Sequence, residues 1–208
     1  MQTDQIAGLL RPWITLEMNQ LVQVQTYIGL LLRWNSRINL TAVRDEENIV
    51  KRHFGESFFS AARLLEDHEK EKEPSSILDL GSGAGFPGIP TAMLARNSRV
   101  ILIEAHAKKS AFLNEVIRSL NLSHVSVFTG RGENYSGKAQ LVTMRAVEKF
   151  DASMPLATSM VEPGGRLALM IGASQVDQAK ASGQRFQWRN PIEVPGGHSR
   201  VLLVGTVE

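Results

Sequence analysis

Cysteine is absent from the 208 residues, so neither a disulfide framework nor a cysteine-ligated metal site can form, and the chain suits a reducing compartment. No apolar run approaches the roughly 18 residues that a membrane-spanning helix needs. The start, Met1 to Gln5, lacks the basic stretch followed by a short apolar one that marks a secretory leader. A cytoplasmic protein with no membrane partner is therefore expected. Charge of one sign is also missing: 23 Lys and Arg face 21 Asp and Glu, and a net charge of +2 does not by itself announce a nucleic-acid binder. Its distribution leaves two readings open, a local basic face or ordinary solvated surface. Lys51-Arg52-His53, Lys108-Lys109, Arg131, Arg145 and Arg200 stand apart from the acidic block Glu66 to Glu73.

What is present suits one sizeable core, since 43% of the residues are hydrophobic. Leu21, Val24, Ile28 and Leu31 follow helical spacing up to Arg33-Trp34-Asn35-Ser36, and a second helical pattern after Asp45 carries Ile49, His53, Phe54, Phe58, Ala61 and Leu65. The charged stretch ending at Pro74 marks a linker or a frayed helix end. Beyond it, Ile77–Leu80, Val100–Ile103, Val125–Phe128, Leu141–Met144 and Leu167–Ile171 read as strands buried on both faces, with Ala107–Leu120 as a crossover helix. Helical pattern is lost after Gly172, and Phe186–Val194 with Arg200–Val207 read as a closing hairpin at the sheet edge. The expected fold is α/β: a mostly parallel twisted sheet with helices on both faces, in one domain spanning residues 1–208. A helical extension (1–73) precedes the α/β core (74–208).

The most informative stretch runs from Ile77 through Asp79-Leu80-Gly81-Ser82-Gly83-Ala84-Gly85-Phe86-Pro87-Gly88. A strand feeds a loop in which glycines accept unusual backbone angles and let a ligand approach the main chain, although tight turns use glycine too. Glu104 ends the next strand, where an acid about 20 residues on binds ribose hydroxyls in dinucleotide folds. Asp79 beside the loop would repel a pyrophosphate but could engage the amino group of a methionine-like moiety; the bland alternative is a turn cap. That acid, with the Phe86-Pro87-Gly88 ending, argues against an NAD-dependent oxidoreductase.

The segment from 79 to 90, Asp-Leu-Gly-Ser-Gly-Ala-Gly-Phe-Pro-Gly-Ile-Pro, resembles the first motif of class I S-adenosylmethionine-dependent methyltransferases. Its specific form is similar to that of the 16S (small-subunit) ribosomal RNA guanine-N7 methyltransferases, also called glucose-inhibited division protein B. Further matches follow in order: Arg33-Trp34-Asn35 with Asn39-Leu40-Thr41, Lys51-Arg52-His53 with Ser57, Glu104 with Lys108-Lys109 and Phe112-Leu113, Gly130-Arg131-Gly132-Glu133, and Arg145-Ala146-Val147. The resemblance implies a Rossmann-like fold and S-adenosylmethionine as cofactor. It implies that Asp79, Gly81, Gly83 and Gly85 hold the methionine part, Glu104 the ribose, and Arg131, Gly132 and Glu133 the adenine, with Ser82 and Phe86 also at the cofactor, Phe86 either near the methyl or in the core. Arg145 would face the target guanine or a phosphate at the rim of the cofactor site, or else cap the sheet. Arg200 would lie near the RNA. His53 is either a catalytic residue or a satisfied core histidine.

The implied partner is 16S ribosomal RNA or the small ribosomal subunit, approached by a monomer. Guanine N7 carries an unprotonated lone pair, so no general base is required and alignment can carry the reaction. Two departures stand out: Ile171-Gly172 occupies a place where members of this family often carry lysine, and Gly205-Thr206 one where they often carry lysine or arginine, which is expected to remove positive charge near the RNA side. Methyl transfer to a protein or small molecule, and a binding protein that kept the fold without the chemistry, remain the alternatives.

Overall fold

A computed structural model describes residues 1–66, 73–145, 150–197 and 199–207. The middle of the acidic block, Asp67 to Lys72, and the Ala146-Val147 part of the Arg145 motif lie outside the described residues. Strands β1 (Ser76–Leu80), β2 (Arg99–Glu104), β3 (Val125–Thr129), β4 (Ala139–Arg145) and β5 (Val161–Gly172) are mutually parallel. β8 (Arg200–Val207) runs antiparallel beside β5, and β6 (Phe186–Trp188) and β7 (Ile192–Glu193) pair with β8. The spatial order is β3-β2-β1-β4-β5-β8-β6. Strand order reverses between β1 and β4, where open α/β sheets bind ligands beyond their carboxyl ends.

Both faces of the sheet are covered. Ile77, Val100, Leu102 and Leu141 enter a core with α1 (Thr3–Leu10), α2 (Met18–Asn35), α4 (Glu56–Leu65), α5 (Gly88–Leu94) and α6 (Ala107–Ser119). Leu78, Leu80, Val142 and Met144 enter a second core with α7 (Phe150–Ser159) and α8 (Val176–Ser182). Each full burial of such a side chain contributes about 1.5–3 kcal/mol, and a one-residue slip would exchange the two faces, so apolarity at both parities fixes a two-sided sheet. The N-terminal helices belong to the first core, through Ile6, Leu10, Val24 and Leu31.

The structure differs locally from the sequence reading in four places. α8 forms after Gly172, where no helix is expected; only Ala179 of this short helix is buried, which leaves almost no periodic signal. The Phe186–Val194 strand is broken into β6 and β7 around Pro191, which has no N–H to give to a ladder. β8 is an inner strand, so the sheet edge is β6 with β7. The helix after Asp45 begins as the three-residue turn α3 (Glu46–Asn48), capped by the Asp45 carboxylate, and continues as a π-helix over Ile49–Gly55 before α4. π-turns are rare and cluster at functional sites; this one carries Arg52 and His53.

Candidate active site

β1 delivers the chain into a turn that requires left-handed backbone at Gly81, Gly83 and Gly85 (φ +73°, +57° and +87°). The Glu104 carboxylate clamps this turn from the end of β2: Oε2 accepts from the Gly83 N–H and Oε1 from the His106 N–H, both at 2.8 Å. Gly85 is also a packing position, because a Cβ there would strike the Tyr27 hydroxyl and lie 2.9 Å from Ile89 Cγ1. The Tyr27 hydroxyl donates to the Ala84 carbonyl oxygen. Phe86 is sandwiched, with Tyr27 stacked on one side at 5.3 Å and His53 on the other at 5.0 Å between centroids.

Asp79 lies behind the loop. Its Oδ1 accepts from the Thr143 hydroxyl at 2.8 Å, while Oδ2 is buried without a hydrogen-bond partner. A Cβ on Gly88 would come within 2.6 Å of that Oδ2, which explains the glycine after Phe86-Pro87. Burial raises the Asp79 carboxyl to about 6, with the Thr143 hydrogen bond opposing the shift. The native state therefore holds this proton to higher pH than the unfolded chain, so stability declines as pH rises from about 4 to about 6 and stays lowered above. His53 acts in the opposite sense. Burial, and then the charges of Arg145, Arg52 and Arg200, push its imidazole down to about 3, so its contribution is lost as pH falls below about 6.5. Asp79→Asn should separate the two: relative to wild type it gains at most about 3 kcal/mol near pH 8 and nothing near pH 4, measured by urea unfolding. An equal change at both pH values would show that Asp79 is not a titrating buried group.

Two cavities open on either side of this turn and share Gly81 and His106. One, of about 540 Å³, is a slot between Leu80, Ile103 and Leu156 with Arg131, Gly132 and Glu133 at its rim. The other, of about 610 Å³, is bounded by Ser82, Gly83, Phe86, His53, Thr41, Lys109, Arg145, Ile171 and Arg200. Its N-terminal wall is folded by Asn35, whose Oδ1 accepts the Leu40 and Thr41 N–H groups and whose Nδ2 donates to the Thr41 carbonyl. This puts the Thr41 hydroxyl 2.7 Å from His53 Nε2.

The far wall is an ion triad. Glu56 Oε2 meets Arg145 Nη2 at 3.0 Å and Oε1 meets Arg200 Nη2 at 3.1 Å, with the Glu56 side chain only 3% exposed. Arg145 also donates to Ser57 Oγ and to the Arg52 carbonyl. Burial pushes the Glu56 carboxyl up and the Arg145 guanidinium down, and each is partly restored by the other's charge. One buried acid thus holds two arginines at the mouth of a cavity with one net positive charge.

The pattern of the family described as rRNA small subunit methyltransferase G (GidB) matches residues 20–199. The chain belongs to this family. A relative named ribosomal RNA small subunit methyltransferase G, from Roseiflexus sp. (strain RS-1), is 35% identical over 97% of this chain and 89% of its own length. One of the same name from Streptococcus agalactiae serotype V is 36% identical over 82% of this chain and 73% of its own. Among solved structures, ribosomal protein L11 methylase from Lactobacillus delbrueckii subsp. bulgaricus has a TM-score of 0.62 at 16% identity, covering 76% of this chain and 79% of that one. A SAM-dependent methyltransferase from Aquifex aeolicus has a TM-score of 0.59 at 15% identity, covering 79% and 94%. At such identities these two establish the fold, which is the expected Rossmann-like one.

For a member of the GidB family, the positions expected from sequence divide into three groups. Gly81, Ser82, Gly83, Phe86, His53 and Arg145 line the larger cavity, and Gly81, Arg131, Gly132 and Glu133 the smaller. Asp79, Gly85 and Glu104 line neither cavity and hold the turn from behind or beside it. Of the two departures from the family's lysines, Ile171 with Gly172 lines the larger cavity, whereas Thr206 pairs with Arg166 at the opposite end of β5. The expectation that both remove charge near one surface is therefore corrected: β8 runs antiparallel, so its Arg200 end is at the cavity and its Thr206 end is remote. Sequence reasoning missed Glu56 and Tyr27. The only trace of Glu56 was a lone acid inside an apolar helical face beside Ser57.

Proposed function

We propose that this chain binds S-adenosylmethionine across the paired cavities and transfers its methyl group to N7 of a guanine in 16S ribosomal RNA, free or in the small subunit. The observation that carries the reading is the glycine turn at the strand-order reversal, flanked by one apolar slot and one cavity with a cationic rim. The residues fit the cofactor: the slot between Leu80, Ile103 and Leu156 suits a flat adenine, and positive-φ glycines expose main chain between the two spaces. The buried Asp79 carboxylate puts negative charge behind the turn, which favours a cationic methionine moiety bound on the turn's far side.

S-adenosylmethionine supplies an electrophilic methyl on its sulfonium. The protein's task is orientation, since N7 arrives with its lone pair free and no proton has to move. Phe86 and neutral His53 present a stacked pair at the wall, and Thr41 fixes the imidazole. Arg145 and Arg200, set by Glu56, can hold a phosphate or the guanine carbonyl oxygen without a change of protonation at neutral pH. N7 inside an A-form helix lies in a deep, narrow groove, so the guanine must be unpaired.

In this reading residues 1–208 act as one domain, working as a monomer in the cytoplasm, with the N-terminal helices closing the site. Incubation with methyl-labelled S-adenosylmethionine and a mixture of ribosomal RNA, ribosomal proteins and intact small subunits tests the acceptor class. Label is expected in the RNA. Label in protein alone would replace RNA by a protein acceptor.

A further inference from the structure

Beyond the Glu56 triad lies a third cavity, of about 600 Å³, bounded by Trp13, Asn48, Lys51, Arg52, Gly196 and Arg200. It shares Glu56 and Arg200 with the larger cavity of the active site, so the two adjoin at the triad. Trp13 is fixed there. Its Nε1 donates to the Pro195 carbonyl at 2.8 Å, and its ring lies flat over Gly55, where a Cβ would come within 2.8–3.1 Å of three ring atoms. Among the described residues the exposed Arg52 guanidinium has no hydrogen-bond or ion-pair partner, although its carbonyl holds Arg145. Among the same residues, Lys51 has a loose exposed contact to Glu47, at 3.7 Å. The acid in the floor is not a free anion, because both Glu56 oxygens are committed to arginines.

We infer that this cavity is a second nucleotide subsite, holding the single-stranded RNA residue next to the target guanine, with the intervening phosphate on Arg52 and Arg200 and the neighbouring base on Trp13. Single strands are bound by this combination of a cationic track with an aromatic platform, and a ring already immobilised loses little freedom when a base stacks on it. An acidic peptide would use the cations but leave the indole without a matching partner. Trp13 precedes the stretch matched by the family pattern, which begins at residue 20, whereas Asn48, Lys51 and Arg52 lie within it. The inference rests on RNA being the acceptor, and its test is kept separate from methyl transfer.

The test is fluorescence anisotropy of a labelled seven-nucleotide single-stranded RNA with a central guanosine, titrated with the full chain at several salt concentrations. Arg52→Ala should weaken binding about tenfold at low salt and lower the slope of log affinity against log salt by about 0.7, one single-strand phosphate contact. Trp13→Leu should weaken binding at least fivefold with the slope unchanged, whereas Trp13→Phe retains most of the affinity. Thermal unfolding of each variant checks that the segment stays docked. Wild-type affinity and slope in both Arg52→Ala and Trp13→Leu would overturn the subsite. If wild type methylates ribosomal RNA while these variants bind normally, only the subsite falls. If binding depends on both residues but wild type transfers no methyl to RNA, the cavity still binds single-stranded RNA, and the proposed reaction and the place beside a target guanine fall.

Discussion

Glu56→Ala is expected to lower stability by about 3–5 kcal/mol and to abolish measurable methyl transfer at temperatures where wild type is fully folded. Removing one partner of a buried ion pair leaves the other charge uncompensated, and here one carboxylate serves two guanidiniums. Arg145 would keep Ser57 Oγ and the Arg52 carbonyl, and Arg200 the Gly197 carbonyl, all neutral acceptors. Two positive charges at the cavity mouth would then repel each other, with only these neutral acceptors to oppose their displacement. Glu56→Gln keeps the shape and one acceptor, so it should fall between the two. Urea unfolding measures the first effect and labelled transfer the second. A stability loss below about 1 kcal/mol would mean that the triad is solvated and does not set the site.

The second large effect is expected at Gly85. Alanine there meets two penalties: about 1–2 kcal/mol for an L side chain in the left-handed region, and about 1–3 kcal/mol for overpacking against Tyr27 and Ile89. A total near 2–5 kcal/mol should appear in unfolding experiments, together with loss of cofactor affinity as the turn is pushed towards the cavities. Tyr27→Phe removes the oxygen that the new methyl would strike, while giving up the hydrogen bond to the Ala84 carbonyl. The double variant Tyr27→Phe with Gly85→Ala should therefore be more stable than the sum of the single effects predicts. Additive losses would place the conflict in the backbone alone.

The fold was legible because its signals are local. Apolar runs at both parities require a sheet covered on both faces, and the segment from Asp79 to Gly88 carries its own turn geometry. α8 was not legible, since a seven-residue helix with one buried side chain has no period to read. The site was legible where residues adjacent in sequence line one cavity, as Gly81, Ser82, Gly83 and Phe86 do. It was opaque where the partner is distant in the chain. Nothing near Glu56 announces that Arg145 and Arg200 converge on it, and nothing near Gly85 announces the Tyr27 hydroxyl. Asp79 shows a subtler limit. Its place at the end of the strand signals a group at the ligand site, but the carboxylate lies behind the loop, towards Thr143 and Gly88. Ile171 and Thr206 looked equivalent as missing lysines, and only the direction of β8 separates them.

The most direct test of the central claim is nucleoside analysis of small-subunit ribosomal RNA after reaction with labelled S-adenosylmethionine. Label is expected in 7-methylguanosine, at one position and in an unpaired segment. Label in a guanosine methylated at another atom, or none while S-adenosylmethionine still binds, would contradict that claim.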